Sequence, residues 1–172
     1  MINFKEYLTE ARLAPLYHGT DVFSSLGIID TKMIGAHTAH LNWKLLKAPR
    51  AAGVGFRDTQ GVSLTRSFNF AAGWGVIVFE VDQQKLNQRM KIIPINYWSS
   101  QDNSVARPDA AEYEEFAVTN TGIPLTYVKR IYIKKATWES ESFSDERKQK
   151  FLDTKIPISF YDRKDVPRSI KK

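Results

Sequence analysis

Cysteine is absent from all 172 residues. With it go disulfides, thiolate nucleophiles, iron–sulfur clusters and cysteine-based zinc sites, and the chain reads as suited to a reducing compartment. Long apolar runs are missing too. No stretch approaches the roughly 18 residues of a spanning helix, and the first residues lack the apolar segment of a secretory signal, so no membrane association is expected. Several site motifs are also lacking. No G-x-G-x-x-G follows a strand, which disfavours a dinucleotide-binding Rossmann unit. No Gly-Lys-Ser/Thr is present for a P-loop, no G-x-S-x-G for a nucleophile elbow, and no H-E-x-x-H for a zinc helix. His37 and His40 stand three apart, but with only Asp30 as a nearby carboxylate they read as loop histidines, and no metal is expected.

What remains is an ordinary globular composition, 42% hydrophobic and 26% charged, long enough for one domain with a real core. The net charge of +6 favours acidic or phosphate-bearing partners. Nucleic acid is a secondary expectation for the basic surface, because the basic residues are scattered among acids and form neither a basic helix nor an aromatic–basic stripe. The protein is expected to act as a monomer.

The apolar periodicity gives a coarse order of elements. Met1 to Arg12 reads as a small amphipathic helix, with Ile2, Phe4, Tyr7 and Leu8 on one side. Leu16 to Thr20 is a short strand ending in His-Gly-Thr, and Asp21 to Ile29 a helix. Between Asp30 and Gly61 the pattern weakens, and a long loop with one short helix is expected. Gly61 to Ser67 is a strand running into a helix cap at Ser67. Trp74 to Asp82 is the strongest strand, being β-branched and apolar, and Gln83 to Gln88 a brief helix. Met90 to Ile95 is an edge strand because of Pro94. Asn96 to Asp109 is a polar loop, Ala110 to Val118 turns from an acidic cluster into a strand, and Ile123-Pro124 is a break. Tyr127 to Ala136 is a strand, Ser144 caps a charged helix to Leu152, and the last twenty residues are a peripheral strand with a loose tail. Helices and strands in this order make an α+β fold rather than a βαβ alternation.

Three polar stations fall at strand ends: His18-Gly19-Thr20, Ser63-Leu64-Thr65-Arg66-Ser67 and Glu112-Tyr113-Glu114. A histidine beside a glycine permits close approach of a ligand to the backbone, and paired carboxylates suit charge stabilisation and proton removal. In this order and spacing the stations resemble the mono-ADP-ribosyltransferase fold. Tyr17-His18-Gly19-Thr20 is similar to the first-strand motif of the diphtheria-toxin and exotoxin-type branch, Leu64-Thr65-Arg66-Ser67 to the Ser-Thr-Ser turn, and Glu112-Tyr113-Glu114 to the E-x-E of the arginine-modifying branch. The match departs from the family in having Thr65 and Arg66 in serine positions and in mixing two branches. It covers about Leu16 to Val118.

The resemblance implies a split β-sandwich of two packed sheets that cleaves NAD+ at the nicotinamide–ribose bond, with NAD+ as substrate and no metal. Glu114 is then the catalytic carboxylate and Glu112 orients and deprotonates an acceptor, with arginine favoured; Glu115 is the fallback for a one-residue slip. His18 would bind the adenosine-side ribose, Gly19 the carboxamide through its backbone, and Thr20 would complete that wall. Thr65, and more weakly Ser63, would support the glutamate or the nicotinamide ribose. Arg66 would pair with pyrophosphate or lie outward in solvent. Phe70 or Trp74 would stack on nicotinamide or pack in the core, and Trp98 and Arg107 fall in the target-recognition loop.

Met-Ile-Asn-Phe-Lys-Glu-Tyr-Leu-Thr-Glu-Ala resembles the capsid-targeting leader of head-packaged proteins in T-even-type tailed phages. That resemblance implies a leader over residues 1–10, cut by the prohead protease between Glu10 and Ala11, and one domain over 11–172. It places the protein in the phage head and then in the host cytoplasm. Two other readings stay open: an NAD+ glycohydrolase or nucleic-acid-directed transferase on the same fold, and a non-enzymatic internal protein that binds DNA or a host defence factor.

Overall fold

The computed structural model describes residues 15–42, 56–94 and 114–162. The leader, Glu112, Trp98 and Arg107 lie outside them, as do Glu10 and Ala11. The chain runs β1 (Leu16–Thr20), α1 (Val22–Thr31), β2 (Met33–Gly35), β3 (His37–Asn42), β4 (Phe56–Thr65), α2 (Phe68–Trp74), β5 (Ile77–Val81), α3 (Gln83–Arg89), β6 (Lys91–Pro94), β7 (Glu114–Val118), β8 (Gly122–Pro124), a 3-10 turn (Leu125–Tyr127), β9 (Val128–Lys134), α4 (Lys135–Trp138), α5 (Asp145–Asp153) and β10 (Ile158–Tyr161). The α+β class expected from the element order is found.

Side-chain caps explain where four of the five described α-helices begin. Asp21 accepts from the Ser24 amide, Ser67 from that of Phe70, Asp82 from those of Gln84 and Lys85, and Ser144 from that of Arg147. Each takes up a backbone N–H with no partner in the first turn. Lys32 closes α1 in the left-handed conformation, its N–H donating to Ile28 and Ile29 carbonyls.

Eight strands share one sheet in the order β10-β9-β5-β1-β4-β7-β6, with β3 also on β4; β2 and β8 form a separate two-stranded sheet. Among the described strands only β9–β10 is parallel. β1 is laddered to β5 along its full length but meets β4 at a single pair, Tyr17↔Thr65. β1 and β4 are thus joined at one pair, and the eight-stranded sheet is pinched there. On one face the core gathers Leu16, Phe79 and Ile131 from one half with Val62, Leu64 and Ala117 from the other. Ile28 and Ile29 of α1, Leu86 of α3, Phe151 of α5 and Phe143 just before α5 cover it.

Two expectations need correction. The stretch from Asp30 to Gly61 is not a loop with a helix where it is described: it supplies β2, β3 and the first half of β4, with His37 and His40 on β3. Backbone pairing with β4 over six consecutive residues holds β3 in place despite its weak apolar pattern. Ile123-Pro124 is not a break, because Gly122–Pro124 pairs with Met33–Gly35.

Candidate active site

One row crosses three strands: Tyr17 on β1 pairs with Thr65 on β4, and Thr65 with Glu114 on β7. The three stations therefore meet on adjacent strands, although they are far apart in sequence. A cavity of about 260 Å³ opens where β1 diverges from β4 under α2. His18, Gly19, Thr20, Ser63, Thr65 and Phe70 all line it, together with Tyr17, Asp21 and Trp74. A larger cavity, about 610 Å³, lies between α1, the 3-10 turn and α5. Its lining of aliphatic residues, Lys32, Lys150 and Asp153 holds none of the predicted residues. Chemistry, rather than volume, singles out the smaller one.

Two glycines hold α2 onto β1. A Cβ at Gly19 would lie 2.0 Å from the Ala71 carbonyl oxygen, and one at Gly75 would lie 2.2 Å from that of Thr20. No side chain fits at either contact. Phe68 locks the other end of the helix, packing edge-on against Tyr17, Tyr132 and Tyr161. The Tyr132 hydroxyl donates to Glu80 at 2.7 Å; burial, then that bond, pushes its pKa up to about 12. The cavity roof is thus a rigid helix on an aromatic block.

His18 carries the main polar contact across the pinch: its Nδ1 donates to the Ser63 carbonyl at 3.0 Å. Burial holds the imidazole below its ordinary pKa; the Ser63 bond opposes this, and nearby His37 adds to it. A neutral ring that donates from Nδ1 has a bare Nε2, so His18 offers an acceptor and no second proton. The Ser63 carbonyl faces β1, and backbone groups on a strand alternate in direction, so those of Thr65, Tyr17 and Gly19 face the same gap. The ladder to β4 stops at Tyr17. Gly19 therefore presents its backbone beside the cavity.

Thr65 Oγ1 accepts from the Ser67 amide at 3.0 Å, which ties the second station to the α2 cap. Phe70 meets Trp74 edge-on, centroids 6.0 Å apart, and Trp74 stands 57% exposed at the mouth.

Two predicted residues lie elsewhere. Arg66 Nε donates to Glu115 Oε1 at 2.7 Å, and its guanidinium also donates to Gln83 at 3.3 Å. Neither Arg66 nor Glu115 lines the cavity. Glu115 pairs with Leu64, a core residue, so strand alternation sends it to the opposite face from Thr65. Arg66 is thus engaged with Glu115 and Gln83, its side chain 23% exposed, rather than turned outward into solvent. Glu114 has its backbone in the row with Thr65; its side chain lies outside the described residues.

Sequence reasoning missed His37. Its Nε2 lies 3.4 Å from Ser63 Oγ, and its ring packs edge-on against Phe116 at 5.5 Å. Burial lowers its pKa. The available signal was the alternation of Ala39 and Leu41 with Thr38, His40 and Asn42 in the sequence, which fits a strand better than a loop. Among the described residues no group of three or more His, Asp or Glu could hold a metal, and no helix is long and apolar enough to cross a membrane. No protein-family model and no curated protein matches the chain.

Proposed function

We propose that this chain is a mono-ADP-ribosyltransferase that cleaves NAD+ and passes ADP-ribose to a host protein, with arginine the favoured acceptor. The observation that carries the reading is the row Tyr17–Thr65–Glu114, in which the backbone of Glu114 pairs with Thr65, a residue that lines the cavity together with the first station. The volume lies near the lower end for ligand sites and suits the reacting nicotinamide–ribose part of NAD+.

The chemistry follows from the charges. As the C–N bond breaks, nicotinamide leaves with the electron pair as a neutral ring, and positive charge spreads over C1′ and the ring oxygen of the ribose. A carboxylate at Glu114 stabilises charge that appears mainly in the transition state. The acceptor nitrogen then bonds to C1′ and loses its proton to Glu112. Gly19 holds the carboxamide, His18 accepts from a ribose hydroxyl, and Thr65 supports the carboxylate. Phe70 and Trp74 flank the planar ring.

Packaging in a phage head, cleavage by the prohead protease after Glu10, and release into the host cytoplasm belong to the same reading. Virion protein is expected to start at Ala11, and an intact Met1 there would sink the packaging proposal. The activity is tested by incubating the protein and Glu114→Gln with labelled NAD+ and host lysate. Labelled protein from the wild type alone is expected. Free ADP-ribose without labelled protein would turn the reading to a glycohydrolase, labelled nucleic acid to a nucleic-acid-directed transferase. Intact NAD+ would remove it in favour of a binding protein.

A further inference from the structure

Ser63 stands between two imidazoles. Its carbonyl accepts from His18 Nδ1 at 3.0 Å, and its hydroxyl meets His37 Nε2 at 3.4 Å. His37 comes from β3, opposite Gly61, and its ring rests on Phe116 of β7. Its place is therefore set by two neighbouring strands. With the His37 ring proton on Nδ1, the Ser63 O–H donates to Nε2, which leaves the oxygen lone pairs for the cavity that Ser63 lines. The neutral His18, its Nδ1 proton committed to the Ser63 carbonyl, offers its bare Nε2 to the same cavity. Two acceptors then line one cavity, His18 from β1 and Ser63 from β4.

We propose that His37 is a positioning residue of this cleft: it holds the Ser63 hydroxyl proton, so that Ser63 and His18 together select ligands presenting neighbouring hydroxyl groups. Naming that diol as a ribose of NAD+ rests on the function proposed above; the acceptor pair itself does not.

His37→Phe keeps the ring contact with Phe116 and removes the nitrogen, whereas His37→Gln supplies an amide oxygen to the same proton. In steady-state NAD+ consumption, His37→Phe is expected to raise KM about five- to tenfold, the loss of roughly one hydrogen bond, with kcat within about twofold. His37→Gln should stay near wild type, and both should keep the wild-type Tm. With two NAD+ analogues, one lacking the 2′-hydroxyl of the adenosine-side ribose and one that of the nicotinamide ribose, all three proteins should converge on one of them. An unchanged KM in His37→Phe, or an equal penalty on both analogues, would overturn the proposal. Nitrogen-15 spectra of the histidine rings at neutral pH give an independent reading. Nδ1-protonated neutral rings are expected for both His18 and His37, and an Nε2-protonated His37 overturns the proposal whatever happens to NAD+. If the expected ring forms appear but wild type leaves NAD+ intact, the NAD+ reading falls and the acceptor pair stands.

Discussion

Arg66 and Glu115 form an ion pair of 2.7 Å, and the residues directly before them, Thr65 and Glu114, are register partners across the same two strands. Glu115 therefore clamps β4 to β7, while the backbone of Glu114 stands in the row with Thr65. Glu115→Gln leaves Arg66 facing a weaker partner and is expected to cost about 1–3 kcal/mol of stability. The figure is below that for a fully buried pair because the Arg66 side chain is 23% exposed. Glu114→Gln should hold stability within about 0.5 kcal/mol and cut NAD+ turnover by at least about 100-fold. Urea unfolding and turnover of both variants check this; a stable, inactive Glu115→Gln would reverse the assignment.

Gly19→Ala tests the contact between β1 and α2. The added methyl would lie 2.0 Å from the Ala71 carbonyl oxygen, which is backbone and has no rotamer to change. The helix must shift, at an expected cost of about 1–3 kcal/mol. Because α2 carries Phe70 and Trp74, KM for NAD+ should rise as well. A Gly19→Ala protein with wild-type unfolding midpoint and KM would show that the roof tolerates displacement.

The sequence carried the local signals well and the long-range ones badly. Asp82, Ser67 and Ser144 are caps because a short oxygen-bearing side chain precedes a helical stretch, and all three act so. β5 was legible because its apolar run is buried on both faces. β3 was not, since its polar residues take their place from pairing with β4 rather than from an apolar stripe. The same holds within the site. His18 stood out through its glycine neighbour, but His37 enters only through the fold that brings β3 beside Ser63. The fate of Glu115 was likewise a matter of register, which a sequence period of two leaves open to a one-residue slip.

Stability should fall as the solution is acidified below about pH 6.5, the ordinary histidine value. Burial holds His18 below that value in the folded protein, and does the same to His37. Between the folded and unfolded values the unfolded chain binds more protons, so stability rises with pH across that window and is level above it. His18→Asn keeps an amide donor near Ser63 but no titrating ring, and should flatten part of the slope. Urea midpoints at pH 7.5 and 5.5 measure it, and equal slopes in both proteins would count against a buried neutral His18. Asp21 acts in a different window. Hydrogen bonds from the Ser24 side chain and amide hold its carboxyl low, so its contribution is lost only as pH falls below about 4.

Trp74 stands 57% exposed beside Phe70 at the cavity mouth. An indole left in solvent contributes little to the core, so Trp74→Phe should leave the unfolding midpoint unchanged. Phe70 is partly buried, and Phe70→Ala should lower it. If the nicotinamide ring, a cation before cleavage, lies against the indole, NAD+ should quench tryptophan fluorescence. Cation–π contacts at accessible sites contribute about 0.5–2 kcal/mol, so losing the indole face should raise KM by roughly two- to thirtyfold. The chain holds four tryptophans, which makes the substitution necessary to the assignment. A quench that disappears in Trp74→Phe locates the ring at the mouth. One that persists at full amplitude would mean that the nicotinamide enters from another side, and Phe70 would then have no stacking role either, since the two rings share one edge of the cavity.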